Sequence, residues 1–480
     1  MSGRLGYDFF MLCDVYCKRT IGLLTKRKGC YIMNQMSKGE ILTVGFMMFS
    51  IFFGAGNLIF PPALGQAAGD HVFTAMLGFL TTGVGLPLLG ITAIALQGGK
   101  YIEFIRKMTY PWMATMLLVI LYLTIGPLFA MPRTGAVSFE IGIRPFLAAD
   151  NLGVGQAIYT AIFFAASYYL ALNPNKLIDR VGKMLTPILL VFLVILFAKA
   201  FVTPLGSILD ATGAYIGTPF VQGFQDGYQT MDLLASLAIG TLVVNAIRMR
   251  GVTSNRAIGE VCLIAGLITV FLMSLVYGSL AYIGATSASV LGHSENGGQL
   301  LAAAIDIFFG PAGNLLVAVI IALACLTTCC GITSGTAWFF NKLFKDKISY
   351  ERLLLISILF SFVASNIGLT QIIALTIPFL VGIYPLVIVF VLLSLFDRLI
   401  GWRRSIYRGA MNCTLVFAVI DGLNAAGIQI PGLNELLTAY LPFYTLTMGW
   451  VVPALTGAAV GLVYSFFQEE PAKDVAIAHN

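Results

Sequence analysis

The stretch Ser50-Ile51-Phe52-Phe53-Gly54-Ala55-Gly56-Asn57-Leu58-Ile59-Phe60-Pro61-Pro62 lies inside a long apolar run, yet it carries the residues least suited to a continuous helix. Relative to alanine, glycine costs about 1 kcal/mol and proline about 3 kcal/mol in a helix interior. Gly54, Gly56, Pro61 and Pro62 together therefore predict an interrupted span. Interruption frees backbone N–H and C=O groups, each costing several kcal/mol if left unsatisfied in hydrocarbon. Such backbone is tolerated at membrane depth only where it is buried in protein or lines a wet cavity, so the break predicts a solute site. Half-helix ends there offer positive dipole ends to an anion and carbonyls to a cation. The competing reading, close helix packing through small residues, accounts for the glycines but not for Asn57 and the paired prolines.

Of the 480 residues, 58% are hydrophobic and 10% charged, and the mean hydropathy is +0.90. This composition excludes an ordinary soluble globule and predicts a polytopic membrane protein. The apolar runs are about 20 residues long, the length of a spanning helix, rather than the alternating segments of about 10 residues found in membrane barrels. The expected class is all-α. A net charge of +6 does not point to nucleic acid, because the basic residues are parcelled out between apolar runs. Cys13, Cys17 and Cys30 precede the first span, and Cys262, Cys325, Cys329, Cys330 and Cys413 lie in or beside apolar runs. No ligand spacing joins them, and they read as reduced and structural. His71, His293 and His479 form neither a metal cluster nor a catalytic triad.

Candidate spans fall at 41–64, 73–97, 114–131, 155–173, 184–203, 221–247, 257–284, 314–341, 353–369, 371–396, 407–427 and 440–467. This predicts about twelve transmembrane helices. One set of loops carries Lys38; Lys100, Arg106 and Lys107; Lys176, Arg180 and Lys183; Arg248, Arg250 and Arg256; Lys342, Lys345, Lys347 and Arg352; and Arg398, Arg403, Arg404 and Arg408. The opposite set carries essentially Arg133 and Arg144. The asymmetry places both termini in the cytoplasm. Residues 1–40 are too polar to span, and Met33 and Met36 are candidate natural starts.

The sixth span is interrupted more weakly, by the small residues of Leu233-Leu234-Ala235-Ser236-Leu237-Ala238-Ile239-Gly240-Thr241. Two interruptions five spans apart, entering from opposite sides, predict a five-plus-five inverted repeat with the site between the halves. The expected organisation is an N-terminal segment 1–40, repeats at 41–203 and 204–396, two additional helices in 397–467, and a cytoplasmic tail 468–480. Residues 210–229 read as an external loop with a short helix. Residues 287–299 read as a polar segment, followed by an amphipathic helix at 300–309.

In the eighth span Thr327 and Thr328 put adjacent hydroxyls into an apolar helix. Oxygen ligands suit a hard monovalent cation, although a threonine in a membrane helix commonly bonds back to its own carbonyls. Ionisable groups in or near spans are Asp232, Lys199, Glu260, Asp306 and Asp421. Lys199, Glu260 and Asp306 lie near span ends, and Asp421 is expected to pair with a neighbour. Asp232 is the carboxylate best placed to meet a substrate amine or gate its access. No catalytic constellation, nucleotide loop or metal motif is present in the sequence. Uphill work would therefore draw on an ion gradient.

These residues resemble a known family. Residues 45–69, with Phe-Phe-Gly-Ala-Gly-Asn-Leu-Ile-Phe-Pro-Pro at 52–62, look like the first span of the bacterial branched-chain amino acid transport system II carriers, the leucine-isoleucine-valine cation symporter family. The likeness runs from about Lys38 to the last span. It implies uptake of leucine, isoleucine and valine across a bacterial cytoplasmic (inner) membrane, coupled to Na⁺ or, in some members, H⁺. A more distant similarity to sodium-coupled leucine transporters implies the five-plus-five fold. It also implies a Na⁺ site formed by the Ser50 and Phe53 carbonyls with Ala324, Thr327 and Thr328. By the same matching, Phe53, Gly54, Ala55, Gly56 and Asn57 in the first break, and Ala235, Ser236 and Ile239 in the sixth span, would hold the amino acid, with Leu233 and Ile239 near its aliphatic side chain. Leu234 stands where that family has a hydroxyl for another sodium, and Phe52 replaces a small residue. One coupling ion is therefore the preferred stoichiometry.

The sequence thus predicts a multi-pass secondary transporter, not an enzyme. Its substrates would be leucine, isoleucine and valine and its setting the lipid bilayer, with no cofactor beyond the coupling ion, no nucleic acid and no obligatory protein partner. The alternatives are a symporter of another small solute, an H⁺-coupled carrier, a channel and a membrane-embedded enzyme.

Overall fold

A computed structural model describes residues 36–172, 188 and 190–467. Cys13, Cys17, Cys30, Met33, Lys176, Arg180, Lys183, His479 and the tail lie outside the described residues, as does the start of the fifth span. Every regular element among the described residues is helical. The chain is an all-α polytopic membrane protein.

The first helix, α1 (Lys38–Phe52), starts at a capping box: Glu40 N–H donates to Ser37 Oγ at 3.2 Å, and Ser37 N–H donates to Glu40 Oε2 at 2.7 Å. Two orphan donors of the first turn are satisfied reciprocally, which fixes where the helix begins. It ends at Phe53, and α2 (Ala55–Ala68) starts two residues later. The break therefore falls at the first glycine. Pro61 and Pro62, expected to help interrupt the span, lie inside α2. They withhold the N–H groups that Asn57 and Leu58 carbonyls would otherwise receive, but neighbouring helices hold α2 in helical form.

After a turn at Gly69 come α3 (Val72–Leu80) and α4 (Leu86–Leu96), joined by a π-helical turn, and then α5 (Tyr101–Met108). The third span is longer than its hydropathy predicts. It runs through α6 (Pro111–Leu123), a π turn with non-helical Gly126, and α7 (Ala130–Gly142). All of α7 is buried, so Arg133 is a core residue and not the external loop residue that its charge suggested. Next come α8 (Leu152–Ala171), α9 (Leu190–Val202) and the short α10 (Pro219–Asp226). A 3₁₀ turn and left-handed Met231 (φ 61°) separate α10 from α11 (Asp232–Arg248), which is bent 44° from it. The sixth-span break is thus at 227–231, and the stretch 235–240 is regular helix. The small residues there serve packing instead: a Cβ at Gly240 would stand 2.6 Å from Ile94 Cδ1.

The remaining elements are α12 (Asn255–Leu291), α13 (Gly297–Leu343), α14 (Tyr350–Ser365), α15 (Leu369–Leu395), α16 (Arg404–Ala425), α17 (Leu433–Tyr440) and α18 (Val451–Ser465). Gly310 (φ 65°) divides α13 into an N-terminal helix and the eighth span. Residues 441–450 form turns, so the last apolar helix starts at Val451 and not at position 440. Among the described residues six helices are long and apolar enough to cross a membrane, or seven with the bent pair counted as one. One of the six, Ala55–Leu96, has 42 residues. At 1.5 Å per residue that is about 63 Å, twice a bilayer core, so this stretch accommodates two crossings.

The broken helix sits at the centre because α12 and α13 close on α2 through glycines. A Cβ at Gly65 would lie 1.9 Å from the Ala281 carbonyl oxygen, and one at Gly297 1.8 Å from that of Ile59. Backbone cannot yield as a flexible side chain can. Gly65→Ala should therefore destabilise the protein by about 1–3 kcal/mol through overpacking. Gly278→Ala, on α12 with nothing within 4 Å of its added Cβ, should be neutral or slightly stabilising. Melting temperatures of the two purified variants check this; equal values would contradict it.

Candidate functional site

The site is built where the two breaks meet. Gly54 is extended (φ −131°, ψ −167°) and begins α2 as its N-cap. In a continuous helix its N–H would go to a carbonyl four residues back; here it donates to Asn57 Oδ1 at 2.9 Å. Asn57 thereby fixes the start of α2 with one end of its amide. With the other end, Nδ2, it donates to Asp232 Oδ2 at 2.7 Å and to the Tyr277 hydroxyl. Tyr277 OH donates to the same carboxylate oxygen at 3.2 Å. Asp232 is the first residue of α11, where the helix dipole favours a negative charge. One polar cluster thus joins α2, α11 and α12, with Asn57, Asp232 and Tyr277 at most 3% exposed.

Arg133 approaches the same place from α7. Its Nη1 donates to the Gln229 carbonyl at 2.7 Å, inside the sixth-span break. Its guanidinium carbon lies 5.1 Å from the Phe60 ring centroid, a cation–π contact. A Cβ at Gly56 would stand 2.9 Å from Nη2, so only glycine lets the first turn of α2 approach the guanidinium this closely. The Arg133 Nε and Gln229 Oε1 have no hydrogen-bond partner. Tyr228, beside Gln229, stacks on Tyr384 with centroids 4.2 Å apart.

The other residues singled out from sequence fall in three groups. Phe53 is buried at the C-cap of α1, Ala55 and Gly56 form the first turn of α2, and all three line the first break. In α11, Leu233 is fully buried while Ala235 and Ile239 are half-buried. Ala235 N–H donates to the Met231 carbonyl at 2.9 Å, and Ser236 Oγ donates to Leu233 O at 2.7 Å. Ser236 also packs on α4, 2.3 Å from where a Gly90 Cβ would stand. The third group is on α13. A Cβ at Gly54 would lie 3.3 Å from Thr328 Cγ2 and 3.6 Å from its Oγ1, so Thr328 stands beside the first break. Thr327 Oγ1 donates to Ala324 O at 2.9 Å and Leu323 O at 3.2 Å. Ser50 lies in the last turn of α1.

The remaining ionisable groups are elsewhere. Glu260 pairs with Arg256 at 3.1 Å, and Asp306 accepts from Asn314 Nδ2 at 2.7 Å. Asp421 is buried, but its Oδ2 lacks the expected partner. Sequence reasoning missed Arg133 and Tyr277. Tyr277 is one of several hydroxyl residues in its apolar span and so gave no distinct signal, whereas for Arg133 the signal was a charge flanked by the small residues Ala130, Gly135 and Ala136.

Comparison with known proteins gives this arrangement a context. The profile described as "Branched-chain amino acid transport protein" matches residues 37–468. The branched-chain amino acid permease BraB of Bacillus subtilis (strain 168) is 46% identical over 428 residues, covering 89% of this chain and 96% of the permease. The branched-chain amino acid transport system 2 carrier protein of Pseudomonas aeruginosa is 42% identical over 447 residues, covering 92% and 100%. The branched-chain amino acid permease BrnQ of Escherichia coli (strain K12) is 38% identical over 436 residues, covering 90% and 97%. Among solved structures, Mhp1, a nucleobase-cation-symport-1 family transporter in a closed conformation with bromovinylhydantoin bound, aligns with a TM-score of 0.59 at 14% identity, covering 92% of this chain and 93% of Mhp1. At that identity the likeness is one of fold.

Proposed function

The chain belongs to the family of branched-chain amino acid transport proteins, and from that premise we propose that it imports leucine, isoleucine and valine across the bacterial cytoplasmic membrane by cation symport, with Na⁺ as the coupling ion. It is a transport protein, not an enzyme. The observation that carries the reading is the Asn57–Asp232 hydrogen bond, which places a buried carboxylate against the N-terminus of a broken helix. A zwitterion needs both signs of partner within a few ångströms. Asp232 offers the negative one to the amine, and the first turn of α2, residues 55–57, offers backbone N–H groups to the carboxylate.

Leu233, Ile239 and Phe53 would face the aliphatic side chain. A methylene is worth only about 1–3 kcal/mol in such a pocket, so selectivity among the three substrates is expected to be modest. The ion would sit at Thr327, Thr328 and Ala324 with the Ser50 and Phe53 carbonyls, bridging α1 and α13. Its presence would hold the first break open to the outside until the amino acid docks. Closure would follow by movement of one five-helix unit against the other, with both chain termini on the cytoplasmic side and one ion moved per amino acid.

A second reading, H⁺ coupling through Asp232, is favoured by the burial of that carboxylate. Radiolabelled leucine uptake into proteoliposomes separates the two. Accumulation above equilibrium under an inward Na⁺ gradient alone is the expected result. Accumulation under an H⁺ gradient alone would replace Na⁺ by H⁺, and mere equilibration under every gradient would eliminate symport in favour of a channel.

A further inference from the structure

We infer that Arg133 anchors the α-carboxylate of the transported amino acid, so that the site is a two-charge receptor with Asp232 opposite. The inference rests on the proposed transport of amino acids and adds to it the residue that reads the acid group. A guanidinium has five N–H donors in a planar fork matched to a carboxylate. At Arg133, which is only 3% exposed, the Gln229 carbonyl accepts from Nη1 and the Phe60 ring covers one face. Nε is left without a partner. No ion pair joins Arg133 to a carboxylate among the described residues. Asp232, the acidic group of the same cluster, holds Asn57 and Tyr277 on its Oδ2 instead.

A buried cation with an unpartnered donor and no carboxylate paired to it is costly unless an anion completes it. The position of the guanidinium says which anion fits. It lies against Gly56 in the first turn of α2, a helix of 14 residues, so its charge adds to the positive end of that helix. Phe53 and Ala55 at the first break and Leu233 at the start of α11 are buried and apolar, which suits an anion carried on a hydrocarbon body. Arg133 and Asp232 together are neutral, as is the zwitterion they would receive. A simple anion or a simple amine would leave one of the two fixed charges unmatched.

The test compares binding of leucine with that of 3-methylbutylamine, which is leucine without its carboxylate, by thermal-shift titration of full-length purified wild type, Arg133→Gln and Arg133→Lys. Wild type is expected to hold leucine at least about thirtyfold more tightly than the amine, and Arg133→Gln to shrink that ratio by about tenfold or more through loss of leucine binding. A ratio unchanged in Arg133→Gln, whether both ligands weaken equally or neither does, overturns the inference, because a residue that only supports the fold would move both. Should Arg133→Gln fail to fold, Arg133→Lys decides: losing the fork should reduce the ratio about threefold or more, and an unchanged ratio again overturns it. A wild type that accumulates leucine but does not discriminate against the amine also overturns it. A wild type that binds no leucine defeats the transport reading itself, a result visible before any variant is made.

Discussion

Asp232→Asn is expected to lower leucine uptake, expressed as Vmax/KM in proteoliposomes, by about 30- to 150-fold, the equivalent of 2–3 kcal/mol. Asparagine keeps the size of the side chain, and its carbonyl oxygen still accepts from Asn57 Nδ2 and Tyr277 OH, which now meet at one carboxylate oxygen. What disappears is the negative charge at the start of α11, so the loss measures the charge and not the packing. A substrate amine that relies on a buried carboxylate loses a charge-assisted hydrogen bond of about 1.5–3 kcal/mol, and Arg133 loses the only compensating charge in its cluster.

Competition identifies the cause. Inhibition by 4-methylpentanoate, which is leucine without its amine, should be unaffected or improved in Asp232→Asn, whereas inhibition by isoleucine and valine should weaken together with leucine. If the acid and the amino acids weaken equally, Asp232 serves only to hold the two breaks together. Asp232→Glu restores the charge with one more methylene in a fully packed site, so it should recover part of the uptake.

The first break was legible because its signal is local. Gly54 and Asn57 are three residues apart, and the Asn57 side chain caps the very N–H that Gly54 releases. The prolines misled because the cost of a proline in an isolated helix is outweighed when α12 and α13 pack directly on the backbone of α2. The sixth break was misplaced for a related reason. Its sharpest feature is the left-handed conformation of Met231, and methionine gives no local hint of it, since nothing in that side chain favours positive φ. Tertiary contacts impose it: Arg133 holds the Gln229 carbonyl, and Tyr384 stacks on Tyr228.

Arg133 was illegible from hydropathy because a hydropathy window asks whether a segment suits lipid. Residues 130–142 face protein on all sides, so a charge and several polar groups are admitted where a lipid-facing helix would exclude them. The helix ended in the reading where its lipid-compatible part ended. Much of the fold was therefore visible as spans and one break, whereas the charge pair of the site depends on contacts between segments distant in sequence.

Thr327→Ala/Thr328→Ala is expected to abolish Na⁺-driven accumulation, leaving leucine only to equilibrate, and to raise the Na⁺ concentration for half-maximal binding by about tenfold or more. Alanine removes two hydroxyl oxygens and leaves the helix intact, since α13 gains rather than loses helix propensity. The back-bonding of Thr327 to Ala324 O does not disqualify it. A hydroxyl that donates its hydrogen to a carbonyl retains lone pairs for a cation, and donation fixes where they point. Thr328 stands beside Gly54, where α1 gives way to α2, so Thr328→Ala alone should have the larger effect of the two single substitutions.

A monovalent ion bound there would touch both α1 and α13, and binding would favour whichever arrangement brings the break and the eighth span together. Coupling follows from that preference: an ion can shift the conformational equilibrium only by the difference in its affinity for the two states. Leucine binding at saturating Na⁺ should therefore remain within about threefold of wild type while the Na⁺ concentration needed to reach it rises about tenfold or more, because coupling free energy is reciprocal between the two ligands. If the double variant accumulates leucine with an unchanged Na⁺ requirement, the ion lies elsewhere. If wild type and variant accumulate it equally with H⁺ alone, the proton takes the ion's place, and Asp232, joining both breaks, becomes the group that must gain and lose it.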